Sequence, residues 1–120
     1  MIIACIKTFN GEDYIQESVL SIYNHVDKII IADCCFGAMQ KIVHPSRIGP
    51  GGLSAEPARQ AIKAIPDPDR KIEIWDIGFL GGDQTIIYND FVSHAQVGDT
   101  IWLVDDDEVY SEKLAQQLET

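Results

Sequence analysis

Short apolar runs recur along the chain, at Ile2 to Ile6, in Lys28 to Ala32 and in Thr100 to Val104. A strand with one wet face alternates apolar and polar residues, whereas a strand covered on both faces reads as a continuous run. These segments therefore predict buried strands, and Lys71 to Asp76 adds another with Ile72 and Ile74 on one face. Between them lie apolar residues at helical spacing: Ile15, Val19 and Ile22, then Ala58, Ala61, Ile62 and Ile65, then Ile87, Phe91 and Ala95, and finally Leu114 and Leu118. Strands alternating with helices imply an α/β fold with a mostly parallel sheet, flanking helices and right-handed crossovers.

Local signals set the expected boundaries. Asn10 is a natural N-cap for the first helix, with Glu12 and Asp13 favourable in its first turn. Pro66-Asp67-Pro68-Asp69 stops the second helix, and Gly78, Gly81 and Gly82 make a turn before Asp83 caps the third. Ser111 caps the last. Signals are weak from Cys34 to Leu53, where Gly49-Pro50-Gly51-Gly52 reads as a mobile loop. The 120 residues suit one domain, 1-120, with no repeat, low-complexity tract or dividing linker.

Nine basic residues against nineteen acidic ones give a formal charge of -10. Neutralising nucleic-acid phosphates needs clustered Lys and Arg, so no nucleic-acid partner is expected. An anionic small ligand would need local help from a metal, helix N-termini or a few placed cations. The cysteines Cys5, Cys34 and Cys35 are odd in number and two are adjacent, which is no disulfide framework and favours a reducing, cytoplasmic setting. No apolar run approaches the roughly 20 residues of a membrane span, and the start Met1-Ile2-Ile3-Ala4-Cys5-Ile6 lacks the charged lead of a signal peptide.

In α/β sheets ligands gather at the carboxyl ends of the strands. Here those ends are Lys7-Thr8-Phe9, Asp33, Asp76 and Asp105 to Glu108, which predicts one acidic edge. On an extended segment Asp105 and Asp107 would face one side and Asp106 and Glu108 the other. Neighbouring carboxylates repel unless a cation lies between them, and hard oxygen ligands at the end of a rigid strand suit Mn2+ or Mg2+ with positions left for phosphate oxygens. The competing reading of the run alone is a solvated acidic turn that caps the next helix.

The stretch Tyr88-Asn89-Asp90, then Gly98-Asp99 and Ile101-Trp102-Leu103-Val104-Asp105-Asp106-Asp107-Glu108, resembles the DxD region of GT-A fold glycosyltransferases, in particular glycosyltransferase family 2. Ile3 to Ile15 is similar to that family's opening strand and the NE-x-x-Y-I segment after it, and Val26 to Asp33 to its second strand with a terminal Asp. The resemblance implies a GT-A (Rossmann-like) nucleotide-binding half, truncated after the DxD strand and its following helix. It further implies a nucleotide-diphospho-sugar donor, an unknown acceptor and sugar transfer with inversion. Thr8 and Phe9 would line the base pocket, Asp33 would contact base or ribose, and Asp105 would serve the donor as well as forming with Asp107 the pair that holds Mn2+ or Mg2+. The general base would lie downstream of the DxD, outside this chain. Two departures stand out: Cys34-Cys35-Phe36 replaces the G-S-x that often follows the second-strand Asp, and Tyr88 stands where an Arg often precedes Asn89.

Other residues point elsewhere. Cys34 and Cys35 lack CxxC spacing and read as packing residues, and His25, His44 and His94 show no ligand spacing. Gly49 to Gly52 matches neither dinucleotide-binding nor P-loop patterns, and Trp75 and Trp102 read as core or rim. Two further readings compete with a complete transferase. One is a non-catalytic sugar-nucleotide-binding half-domain, and the other a receiver-like Mg-binding signalling domain, in which an acidic cluster follows a buried strand. A sheet cut short would also expose apolar surface, which predicts a homo-oligomer.

Overall fold

The computed structural model describes residues 1–82 and 84–119. Asp83, the expected cap of the third predicted helix, lies outside the described residues. The apolar runs form the strands β1 (Ile2–Thr8), β2 (Lys28–Phe36), β3 (Ile72–Leu80) and β4 (Thr100–Asp105). Helices α1 (Ile15–Ile22), α2 (Gly37–Ile42), α3 (Glu56–Lys63), α4 (Thr85–His94) and α5 (Glu112–Glu119) connect and follow them. Every strand pair is parallel, in the order β3-β2-β1-β4, so the α/β expectation holds.

That order carries a functional consequence. The chain grows outward from β1 through β2 to β3, then returns past β1 to lay β4 on its other side. The reversal puts a topological switch point between β1 and β4, as in Rossmann-type sheets.

Residues of opposite parity on the strands feed two cores. Ala4, Ile6, Ile29, Ile31 and Val104 pack under Ile15, Val19 and Ile22 of α1 and Ile62 of α3. Ile3, Cys5, Ile30, Ala32 and Cys34 pack under Ile87 and Phe91 of α4. Both faces of β1 and β2 are thus covered, which is why these strands read as unbroken apolar runs. The outer edge of β4 carries no strand among the described residues, and Leu103 on it is 46% exposed.

Expected boundaries change in three places. Asn10 does not cap α1, which starts at Ile15; Asn10 takes a left-handed φ of 55°. Its side chain instead donates to the Arg47 carbonyl at 2.7 Å and accepts from the Ala55 amide at 2.9 Å. β2 runs past Asp33, its expected end, to Phe36 and β3 runs past Asp76 to Leu80, because a register shift at Asp33/Cys34 lets Gly78, Phe79 and Leu80 pair with Cys34, Cys35 and Phe36. The Gly49–Gly52 segment is held rather than loose. Ile48 bridges Ser54, and a Cβ on Gly78 would sit 2.1 Å from the Gly51 carbonyl oxygen, so glycine there admits the close approach.

Candidate functional site

The crevice at the switch point is built from the end of β1, the loop into α1 and the turn after β4. Phe9, Asn10, Gly11, Asp13, Tyr14, Asp106 and Asp107 line its outer part. A second cleft adjoins it at Asp106 and is walled by Lys7, Thr8, Phe9, Cys34, Phe36 and Met39. The two measure about 230 and 130 Å3 and share Phe9 and Asp106 as lining residues.

Asp106 is the hinge of this arrangement. β4 ends at Asp105, and the Glu108 amide donates to the Asp105 carbonyl at 3.1 Å, which turns the chain at once. Strand alternation therefore stops before it can pair Asp105 with Asp107. The structure corrects that expectation: Asp106 and Asp107 face the crevice, while Asp105 turns toward Lys7, with Oδ1 3.8 Å from Nζ. The turn is braced by Glu108, whose Oε1 accepts from the Asp105 amide at 2.8 Å, and by Ser18, which donates to the Asp105 carbonyl at 3.2 Å.

Thr8, buried at the end of β1, donates its hydroxyl to Asp106 Oδ2 at 2.7 Å. Gly11 makes this possible, since a Cβ there would lie 2.5 Å from Asp106 Oδ2 and 2.6 Å from Thr8 Oγ1. Burial raises the Asp106 pKa above the ordinary carboxylate value; Thr8 opposes this by bonding the ionised form, while Asp107 and Asp105 add repulsion. The result is a half-buried carboxylate, flanked by two others, on the rim of a cleft.

Asp33 departs from its expected role. Its carboxylate is fully buried and taken up by protein donors: the Ser54 amide at 3.1 Å, the Ser54 hydroxyl at 2.7 Å and Arg59 at 3.0 Å. Arg59 also reaches Asp76 at 2.7 Å, so one guanidinium neutralises neighbouring carboxylates of β2 and β3. Asp33 thereby holds the 48–55 segment over the sheet instead of presenting oxygen to a ligand. Asn10 fastens the same segment, its backbone N–H donating to the Ser54 hydroxyl at 2.9 Å, and Arg47 pairs with Glu12.

Thr8 and Phe9 line the inner cleft. Sequence reasoning missed Ser54 and Arg59 as partners of Asp33, and Phe36 and Met39 as cleft walls. Arg59 was detectable in principle, because it neighbours Ala58 and precedes Ile62 by three residues on the inner face of α3. Lys7 follows Ile3 and Cys5 at a period of two, which places its stem on the α4 side of the sheet.

No cluster of three or more His, Cys, Asp or Glu side chains arranged to hold a metal forms among the described residues. No helix among them is long and apolar enough to cross a membrane. No known protein-family model matches the chain, and no curated protein shows significant similarity to it.

Proposed function

We propose that this chain is the nucleotide-binding part of a GT-A type glycosyltransferase, similar to family 2, that holds a nucleotide-diphospho-sugar with Mn2+ or Mg2+ and passes the sugar to an acceptor hydroxyl. The observation that carries the reading is the half-buried Asp106 at the β1/β4 switch point, tied to Thr8 and flanked by Asp107. A crevice outside the carboxyl ends of the strands at such a point is where open α/β sheets take ligands. Phe9, Phe36 and Met39 add the flat and soft apolar surface that a nucleobase needs.

The donor set fits the ion. Mg2+ keeps several waters and binds through one or two carboxylates plus substrate phosphates, so a site of two acidic side chains without a closed protein cage is the expected kind. Asp106 and Asp107 would hold it. When bound, the cation neutralises charge on the departing diphosphate. The residues themselves do the rest: Thr8 fixes the Asp106 carboxylate, Gly11 lets the loop close onto it, and Asp33 with Asn10 positions the segment beside the cleft.

Calorimetric titration of UDP, GDP and their sugar conjugates, with and without Mn2+, tests the proposal. Wild type should bind at least one diphosphate in a metal-dependent manner, Asp106→Asn should not, and Asp107→Asn should bind more weakly. Metal-dependent binding without turnover on any acceptor would mark a binding half-domain. A folded wild type that binds none of them would reduce the acidic run to a solvated turn.

A further inference from the structure

Lys7 is the one cation among the residues lining the two clefts. Its side chain is only 22% exposed, yet its ammonium makes no hydrogen bond among the described residues. The nearest carboxylate oxygen, Asp105 Oδ1, lies 3.8 Å away, beyond hydrogen-bond reach. On the other side the ammonium lies 6.0 Å from the centre of the Tyr88 ring on α4, at the outer limit of a cation–π contact. Register fixes this placement, because Lys7 pairs with Asp105 across β1 and β4 while Thr8, the next residue, points to the opposite face and binds Asp106.

A mostly buried ammonium with three unused donors is costly unless it gains acceptors. Asp105 and Tyr88 hold it at the cleft without saturating it. Resting on the proposed nucleotide-sugar function, we infer that Lys7 is the phosphate-binding cation of this site and donates to oxygens of the donor's diphosphate. Lysine suits that task as a compact point charge. The ligand then meets cations from two directions, Lys7 from the strand end and the divalent ion from Asp106 and Asp107. This resolves how a chain of charge -10 admits an anion.

The test compares wild type, Lys7→Met, Lys7→Gln and Lys7→Arg in calorimetric titrations with UDP and UMP, and with GDP and GMP, in Mn2+ buffer, after circular dichroism shows each protein folded. If Lys7 contacts the diphosphate, wild type prefers the diphosphate over the monophosphate, Lys7→Met and Lys7→Gln lose diphosphate affinity by about tenfold or more, and Lys7→Arg recovers most of it. Diphosphate affinity unchanged in Lys7→Met or Lys7→Gln overturns the inference and leaves the nucleotide site standing, with Lys7 as a partner of Asp105 alone. Loss of monophosphate and diphosphate affinity to the same degree also overturns it, since Lys7 would then shape the site as a whole instead of contacting the diphosphate. A wild type that binds no nucleotide removes both.

Discussion

The hydroxyl of Thr8 donates to Asp106 Oδ2 over 2.7 Å and so ties the end of β1 to the turn that follows β4. These residues are 98 positions apart in sequence and meet only because β4 returns to the open side of β1. The bond orients the carboxylate that the proposed function requires. Thr8→Val keeps the shape and removes the donor, leaving a half-buried carboxylate oxygen unpaired. Urea unfolding should show a loss of about 1.5–3 kcal/mol, the range for a hydrogen bond to a charged group.

Gly11 should tolerate no side chain. Alanine there would drive its Cβ into Asp106 Oδ2 and Thr8 Oγ1, and both atoms belong to restrained groups. Gly11→Ala is expected to cost about 1–3 kcal/mol in the same assay and to weaken metal-dependent nucleotide binding in parallel.

The pH dependence of stability carries the signature of Asp106. Burial, reinforced by Asp107 and Asp105, raises its pKa in the folded state despite the Thr8 bond and the nearby Lys7 charge. A proton held more tightly in the folded than in the unfolded chain stabilises the fold below the unfolded Asp value, and that contribution is lost as pH rises through the raised folded value. Between about pH 3 and 7, the stability of Asp106→Asn relative to wild type should therefore increase with pH and then level off. A flat difference would show that Asp106 ionises as an exposed carboxylate does.

Asp33 acts as a fastener, and its removal should be felt in stability first. Asp33→Ala leaves the Ser54 amide without its acceptor and Arg59 with Asp76 as its one carboxylate partner, a change expected to cost about 1–3 kcal/mol. Arg59→Met tests the same pair from the other side and should also be destabilising, with Asp33 left without its cation.

Burial pushes the Cys5 thiol up to about 12 and the Cys34 thiol up to about 11, the latter with help from Asp33 and Cys35. At pH 8 only about one Cys34 thiol in a thousand would be ionised. A chromogenic disulfide reagent should therefore titrate these thiols slowly in the native protein and at once in denaturant.

Much of the sheet was legible because its strands are covered on both faces. Ile2–Ile6 and Lys28–Ala32 announce themselves as apolar runs within the longer β1 and β2, and helix α3 follows from Ala58 and Ile62. The 37–54 segment was not legible, because distant partners order it: Asn10 grips the Arg47 carbonyl, Asp33 grips Ser54, and Gly78 admits Gly51. Local propensity contains none of these contacts. The acidic run showed where a site would form but not which carboxylate would face it, since that depends on a turn closed by Glu108 and on the room that Gly11 leaves. The same holds for Asp33, which the sequence places at the end of a strand but which lies inside β2, with a carboxylate held by Arg59 from a helix 26 residues away.

The most direct measurement is paramagnetic broadening of backbone amide resonances by Mn2+ at substoichiometric concentration, recorded with and without UDP or GDP. The account predicts that nucleotide focuses the broadening on Phe9, Gly11, Asp106 and Asp107, and that Asp106→Asn abolishes this focus. Broadening that spreads weakly over the acidic surface, or that centres on the opposite end of the strands near Asp99, would contradict a metal-assisted nucleotide site at the β1/β4 crevice.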